Sequence, residues 1–224
     1  MDENMAYHCF RIDKGDPDIR ALADRYKHLR LAALQQSPSS FSSTLEIEEA
    51  FTDYAWTSRL CAPGKETFIC CCVAAEKAAP LQDLWLGQVT LLGPISAGAF
   101  CLSADSTPEQ GGDEERWQML SLYTLPSHRG KGLGKMLCRA AFHHLSSLQG
   151  PSRVRVRIMV KPENQVTLGL YRGLGFVDAG RCTLEEALKA NGDADLLPRG
   201  TLPEKYTTRS GIVMTVNLDR LEPS

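Results

Sequence analysis

Three glycines at alternate positions, Gly130, Gly132 and Gly134, stand among Arg129, Lys131 and Lys135 in the stretch Pro126-Ser127-His128-Arg129-Gly130-Lys131-Gly132-Leu133-Gly134-Lys135. Glycine permits positive φ and lets the backbone come close to a ligand. A helix beginning at Leu133 would present unpaired N–H groups and the positive end of its dipole to an anion. Dipole and charge contributions of about 0.3–1 kcal/mol each, several acting together, are enough to hold a pyrophosphate. The nucleotide loop G-x-x-x-x-G-K-S/T does not fit, because Met136 follows Lys135 and no glycine stands five residues before Gly134. The dinucleotide pattern G-x-G-x-x-G lacks its final glycine here. A plain strand-to-helix turn is the other reading of the same glycines.

A second constellation lies downstream, where Asn164 precedes Tyr171 by seven residues in Asn164-Gln-Val-Thr-Leu-Gly-Leu-Tyr171-Arg-Gly-Leu-Gly175-Phe176. Tyr171 shares a helical face with Thr167, Leu170 and Leu174, so one reading of it is a packed aromatic. Eight cysteines, at 9, 61, 70, 71, 72, 101, 138 and 182, admit disulfides, zinc or buried thiols. They form no C-x-x-C pair, and consecutive Cys70, Cys71 and Cys72 on a strand face opposite ways. Free thiols in a reducing compartment fit best, with no metal.

The elements that must position these residues follow from periodicity. Asp16-Pro17 opens a helix carrying Ile19, Leu22, Ala23, Tyr26, Leu29 and Ala33, and Ser37-Pro38 ends it. A second helical stretch spans Leu45 to Leu60. Strands are expected at Thr67–Ala74, Leu84–Leu92, Trp117–Leu125, Val154–Val160, near Phe176 and at Gly211–Leu218, with helices at Leu133–Leu148 and from Asn164 to about Gly173. The helix from Leu133 carries Leu133, Leu137, Ala140, Ala141, His144 and Leu148 on one face. In the strand from Val154, the residues Val154, Val156, Ile158 and Val160 alternate with Arg155, Arg157 and Met159, the mark of a sheet with one packed face. Residues 94–116 read as a mobile insertion in a single domain spanning 1–224, and Thr183 to Lys205 is poorly patterned.

Composition narrows the function. Lys and Arg total 25 against 27 for Asp and Glu, a net charge of −2 that gives no basic face for nucleic acid. The first twenty residues have no apolar core of a signal peptide and no apolar run reaches 18 residues, so a cytoplasmic protein without a membrane segment is expected.

Arg129-x-x-Gly132-x-Gly134 resembles the R/Q-x-x-G-x-G/A signature of the GNAT acetyltransferases, after a strand that ends in a proline turn. The Asn164 to Phe176 stretch resembles that family's "N…LYxxLGF" helix, and Arg30 to Phe41 resembles the substrate-side helix and loop of many members. The resemblance is specific over Trp117 to Phe176. It implies an α/β fold with a twisted, mixed, largely antiparallel sheet of six or seven strands, helices on both faces and a splayed cofactor cleft. It also implies acetyl-CoA as co-substrate, its pantetheine alongside Leu122, Tyr123 and Thr124. Its pyrophosphate would lie on the backbone of Arg129, Gly130, Lys131, Gly132, Leu133, Gly134 and Lys135, with Asn164 on the cofactor side.

By the same resemblance the acetyl group moves directly to a primary amine in a ternary complex, a backbone N–H near Leu122 to Thr124 steadies the oxyanion, and Tyr171 protonates the thiolate. A catalytically inactive acyl-CoA-binding module, acting as a sensor or partner domain, is the alternative. The oligomeric state stays open, a homodimer included. Some relatives carry a glutamate base where this chain has Met159. A lysine-like amine costs about 4–5 kcal/mol to deprotonate at pH 7, so some base or water chain is expected. Glu163, His128, Glu46, Glu48 and Glu49 are the candidates.

Overall fold

A computed structural model describes residues 6–41, 43–73, 84–102 and 113–221. Its strands are β1 (Ala6–Arg11), β2 (Lys65–Val73), β3 (Leu84–Leu92), β4 (Glu114–Thr124), β5 (Arg153–Val160), β6 (Val177–Cys182) and β7 (Gly211–Asp219). They form one seven-stranded sheet in the order β1-β2-β3-β4-β5-β7-β6. β1 pairs antiparallel with β2, and β7 antiparallel with β5 and with β6, whereas β4 and β5 are parallel. This is the mixed, mostly antiparallel α/β sheet expected from the sequence. The chain divides into two compact units, Met1–Leu91 with Ser121–Ala141, and Leu92–Leu120 with Phe142–Ser224.

The first unit holds α1 (Ile19–Gln36), α2 (Leu45–Glu49) and α3 (Asp53–Cys61). Helical spacing brings Ala23, Tyr26 and Leu29 of α1 into a core with Trp56 and Leu60 of α3, Ile69 and Cys71 of β2, and Trp85 of β3. α1 begins at Ile19, two residues later than Asp16-Pro17 suggests, because the Asp16 carboxylate accepts the Asp18 N–H at 2.7 Å and holds a turn ahead of the helix. The stretch expected as one helix to Leu60 is two, since the Thr52 hydroxyl accepts the Ala55 N–H and starts α3 afresh. β1 went unread because AYHCFR has no apolar run; it is fixed by its partner, with Cys9 opposite Cys70 and His8 opposite Cys71.

The second unit contains β5, β6, β7, the first part of β4, and α4 (Ala97–Phe100), α6 (Gln165–Arg172), α7 (Leu184–Asn191) and α8 (Glu204–Thr207). Part of the range expected as an insertion, 94–116, forms α4 and the first residues of β4, and 103–112 lies outside the described residues. Gly93 is required by close approach: a Cβ there would stand 2.6 Å from the Trp117 ring. α7 falls in the stretch read as unpatterned, yet Thr183 and Glu186 form a full capping box. One reading of β5 is corrected. Arg157 does not face solvent; it is 1% exposed, as buried as Ile158 beside it, so both faces of β5 are covered there.

The helix α5 (Leu133–Ser147) follows the glycine loop and runs from one unit into the other. Its buried residues are Leu133, Leu137, Cys138, Ala141 and Leu145, so Leu145 rather than His144 continues the inward face.

Candidate cofactor site

Leu122 to Lys135 form one continuous strand–loop–helix segment of the first unit. β4 changes character at Ser121, which holds φ at 57°, a left-handed conformation inside a strand. The β4–β5 ladder has already stopped at Gln118 opposite Arg157, although β4 runs on to Thr124 and β5 to Val160. On its other side β4 stays anchored, with the Leu125 N–H donating to the Leu86 carbonyl at 2.8 Å.

After the turn Pro126–His128, Gly130 and Gly132 adopt φ of 76° and 81°. A Cβ at either would meet nothing within 4 Å, so conformation rather than crowding demands glycine there, and the space beside the loop is open. The Met136 N–H donates to the Gly132 carbonyl, which makes Gly132 the entry to α5. The N–H groups of the first turn, Leu133 to Lys135, are those that a helix leaves without an intrahelical acceptor, the groups an anion can take up. These residues fit a pyrophosphate.

Arg129 is already engaged. Its Nε donates to the Thr124 carbonyl at 3.2 Å and its Nη2 to Ser37 Oγ at 3.1 Å, so it ties the end of β4 to the end of α1. It also lies 5.7 Å from the centroid of Tyr123, whose ring packs against Phe41 at 5.5 Å. Lys131 stands 5.9 Å from the Tyr7 ring. The Tyr123 hydroxyl is buried without a hydrogen-bond partner among the described residues.

Behind this segment is a pair the sequence reading missed. Arg30 of α1 forks onto Glu48 of α2, Nε to Oε2 at 2.9 Å and Nη2 to Oε1 at 2.6 Å, with Arg59 3.8 Å away. The Arg30 guanidinium also covers the Phe41 ring at 4.4 Å. Burial pushes the Glu48 carboxyl up, but hydrogen bonds and charge from Arg30 outweigh it and hold the group below the ordinary carboxylate range. Glu48 is thereby removed from the candidate bases. Glu46 and Glu49 are exposed, as is Glu163. Glu46 has its carboxyl lowered by its own backbone N–H and by Thr44, so it serves the start of α2.

Asn164 and Tyr171 belong to the second unit. The Asn164 side-chain oxygen accepts the Thr167 N–H at 3.2 Å and caps α6, which leaves its amide NH₂ for another partner. Tyr171 is 5% exposed and its ring meets Phe176 edge-on at 5.2 Å. The Tyr171 carbonyl accepts from both Leu174 and Phe176, and Gly175 takes φ of 89° to close that turn. The spacing of Tyr171, Gly175 and Phe176 is thus a helix-ending motif that fixes the tyrosine ring. Among the described residues no cluster of His, Cys, Asp or Glu could hold a metal, and no helix is long and apolar enough to cross a membrane.

Residues 93–176, which contain both constellations, match the model of the Acetyltransferase (GNAT) family. No curated protein matches the sequence. Among solved structures, NAA60 of Arabidopsis thaliana bound to a bisubstrate analogue aligns over 96% of this chain and 100% of its own at 13% identity, with a TM-score of 0.57. NAA60 in complex with acetyl-CoA aligns over 95% and 99% at 11% identity and 0.56. A GNAT-family acetyltransferase of Streptococcus pneumoniae aligns over 95% and 100% at 13% identity and 0.54. At such identities the likeness is one of fold. Residues 93–176 are thus similar to the GNAT acetyltransferases, and the solved structures show that the chain shares their fold.

Proposed function

We propose that this protein is an N-acetyltransferase that takes the acetyl group of acetyl-CoA and delivers it to a primary amine by direct transfer. The observation that supports this most is the loop in which Gly130 and Gly132 hold left-handed conformations immediately before the first turn of α5. NAA60, the structural neighbour above, is seen with acetyl-CoA and with a bisubstrate analogue. Acetyl-CoA supplies an acetyl group activated as a thioester.

The chain's own residues divide the remaining work. Backbone N–H groups from Gly130 to Lys135 hold the pyrophosphate, and Arg129 braces that loop rather than reaching from it. A backbone N–H within Leu122 to Thr124 steadies the oxyanion that forms as the amine attacks. Asn164 offers its amide NH₂ to the cofactor. Tyr171 gives its phenolic proton to the departing thiolate, while the amine's own proton leaves to solvent through a base or water chain.

The test is thiol release from acetyl-CoA with a panel of amines. Release that depends on the amine is the expected result; acetyl-CoA binding without turnover would instead identify an acyl-CoA-binding module. Gly134→Glu probes the loop. Gly134 lies in α5 outside the positive-φ glycines, so glutamate fits the backbone while setting a carboxylate against the phosphate site. Calorimetry should show the acetyl-CoA Kd raised by more than about tenfold with the circular dichroism spectrum retained, and Gly132→Glu should behave alike with added strain at φ 81°. Unchanged affinity in both would remove the loop from the cofactor site.

A further inference from the structure

The buried arginines of this protein are not alike. Arg30 faces Glu48 at 2.6 Å and Arg220 faces Glu115 at 2.8 Å. Arg157 faces no carboxylate among the described residues. Its Nε donates to Gln118 Oε1 at 2.6 Å, its Nη1 to the Phe100 carbonyl, and its guanidinium lies 4.7 Å from the centroid of the Phe100 ring. Nη2 is buried with no partner among the described residues. The Gln118 amide is held with its oxygen toward Arg157, because its Nε2 donates onward to Asn191 Oδ1 at 3.1 Å. A guanidinium in a buried site is held by neutral acceptors only, which leaves a full charge and a donor uncompensated.

The neighbouring Cys182 thiol does not supply the missing anion. Burial pushes the Cys182 thiol up to about 11, so it is neutral at physiological pH. Burial likewise lowers Arg157, to about 10, which leaves it cationic there. Gln118 and Arg157 are also the last pair of the β4–β5 ladder.

We infer that Arg157 is the receptor for a carboxylate on the acceptor, so that the amines acetylated are amino acids or similar carboxylate-bearing amines. Nη2 donates to that carboxylate, and Gln118 and the Phe100 carbonyl hold the guanidinium plane in position for it. The Phe100 ring, a weaker partner for the cation than a carboxylate, moves aside on binding. This rests on the acetyl-transfer reading above.

Matched acceptors decide it. Lysine against cadaverine, and 4-aminobutyrate against propylamine, differ only in the carboxylate, and thiol release should give the carboxylate member of at least one pair a tenfold or greater advantage in kcat/KM. Gln118→Glu places a carboxylate on the same guanidinium from within; it should raise the Tm and erase that advantage. Arg157→Met should erase it too, and Gln118→Glu keeps the test open if that variant does not fold. Calorimetric titration of 5-aminopentanoate into the resting protein separates this idea from acetyl transfer itself. Binding to wild type that Gln118→Glu abolishes supports the site even if no amine is turned over. No binding, no carboxylate preference, or a preference that survives Gln118→Glu overturns it.

Discussion

Tyr171→Phe is expected to lower kcat by roughly 100-fold or more while acetyl-CoA affinity and thermal midpoint stay near those of the wild type. The substitution removes only the hydroxyl. The ring remains against Phe176, and the two backbone hydrogen bonds that close α6 onto the Tyr171 carbonyl are untouched. Tyr171→Ala separates packing from chemistry, because deleting a buried aromatic costs about 3–5 kcal/mol of stability. If Tyr171 only fills the space beside Phe176, the Phe variant turns over normally and all the damage falls on the Ala variant. A Phe variant within threefold of wild-type kcat takes Tyr171 out of the mechanism.

The second large effect belongs to the pair Arg30 and Glu48. Both are buried, at 4% and 0% exposure, and bonded in a two-pronged geometry. Removing one partner leaves a buried charge without compensation, so Glu48→Ala should cost about 3–5 kcal/mol. Replacing both, as in Arg30→Met with Glu48→Leu, should restore most of that loss, since an apolar pair of similar volume needs no counter-charge. The folded-state pKa of Glu48 lies below its unfolded value of about 4.3, so the stabilisation is complete above that value and disappears as the pH falls through the folded one. Acid unfolding followed by circular dichroism should therefore begin at higher pH in Glu48→Ala than in wild type. A loss under about 1 kcal/mol would mean the pair is dispensable. The effect should also reach the site, because Arg30 supports Phe41, Phe41 supports Tyr123, and Tyr123 lies beside Arg129.

What could be read from the sequence was local. The glycine spacing announced Gly130 and Gly132 because positive φ is a property of single residues, and the helix after Asn164 was legible because cap and periodicity lie within a dozen positions. Arg30 and Glu48 were not, since a charge at one position gives no sign of a partner eighteen residues on. Arg157 was misread for a related reason: alternation along β5 shows which side chains share a face, and says nothing of what α4 and the residues around Asn191 lay over the other face. α7 was different, for its capping box at Thr183 and Glu186 is a sequence signal that stood unused in a stretch lacking apolar rhythm.

The cysteines carry a consequence for labelling chemistry. Cys70, Cys71, Cys72, Cys138 and Cys182 are buried, and none of the eight is in a disulfide. Burial pushes Cys138 up to about 12, while a hydrogen bond with Cys70 draws the half-buried Cys9 below its ordinary value. Alkylating reagents act on accessible thiolates, so Cys9 on β1 reacts ahead of the buried thiols, which stay silent until the fold opens. The mass that a pulse of iodoacetamide adds beyond the partly exposed Cys9, Cys61 and Cys101 therefore counts opened molecules, and the chain carries its own clock for how often its interior meets water.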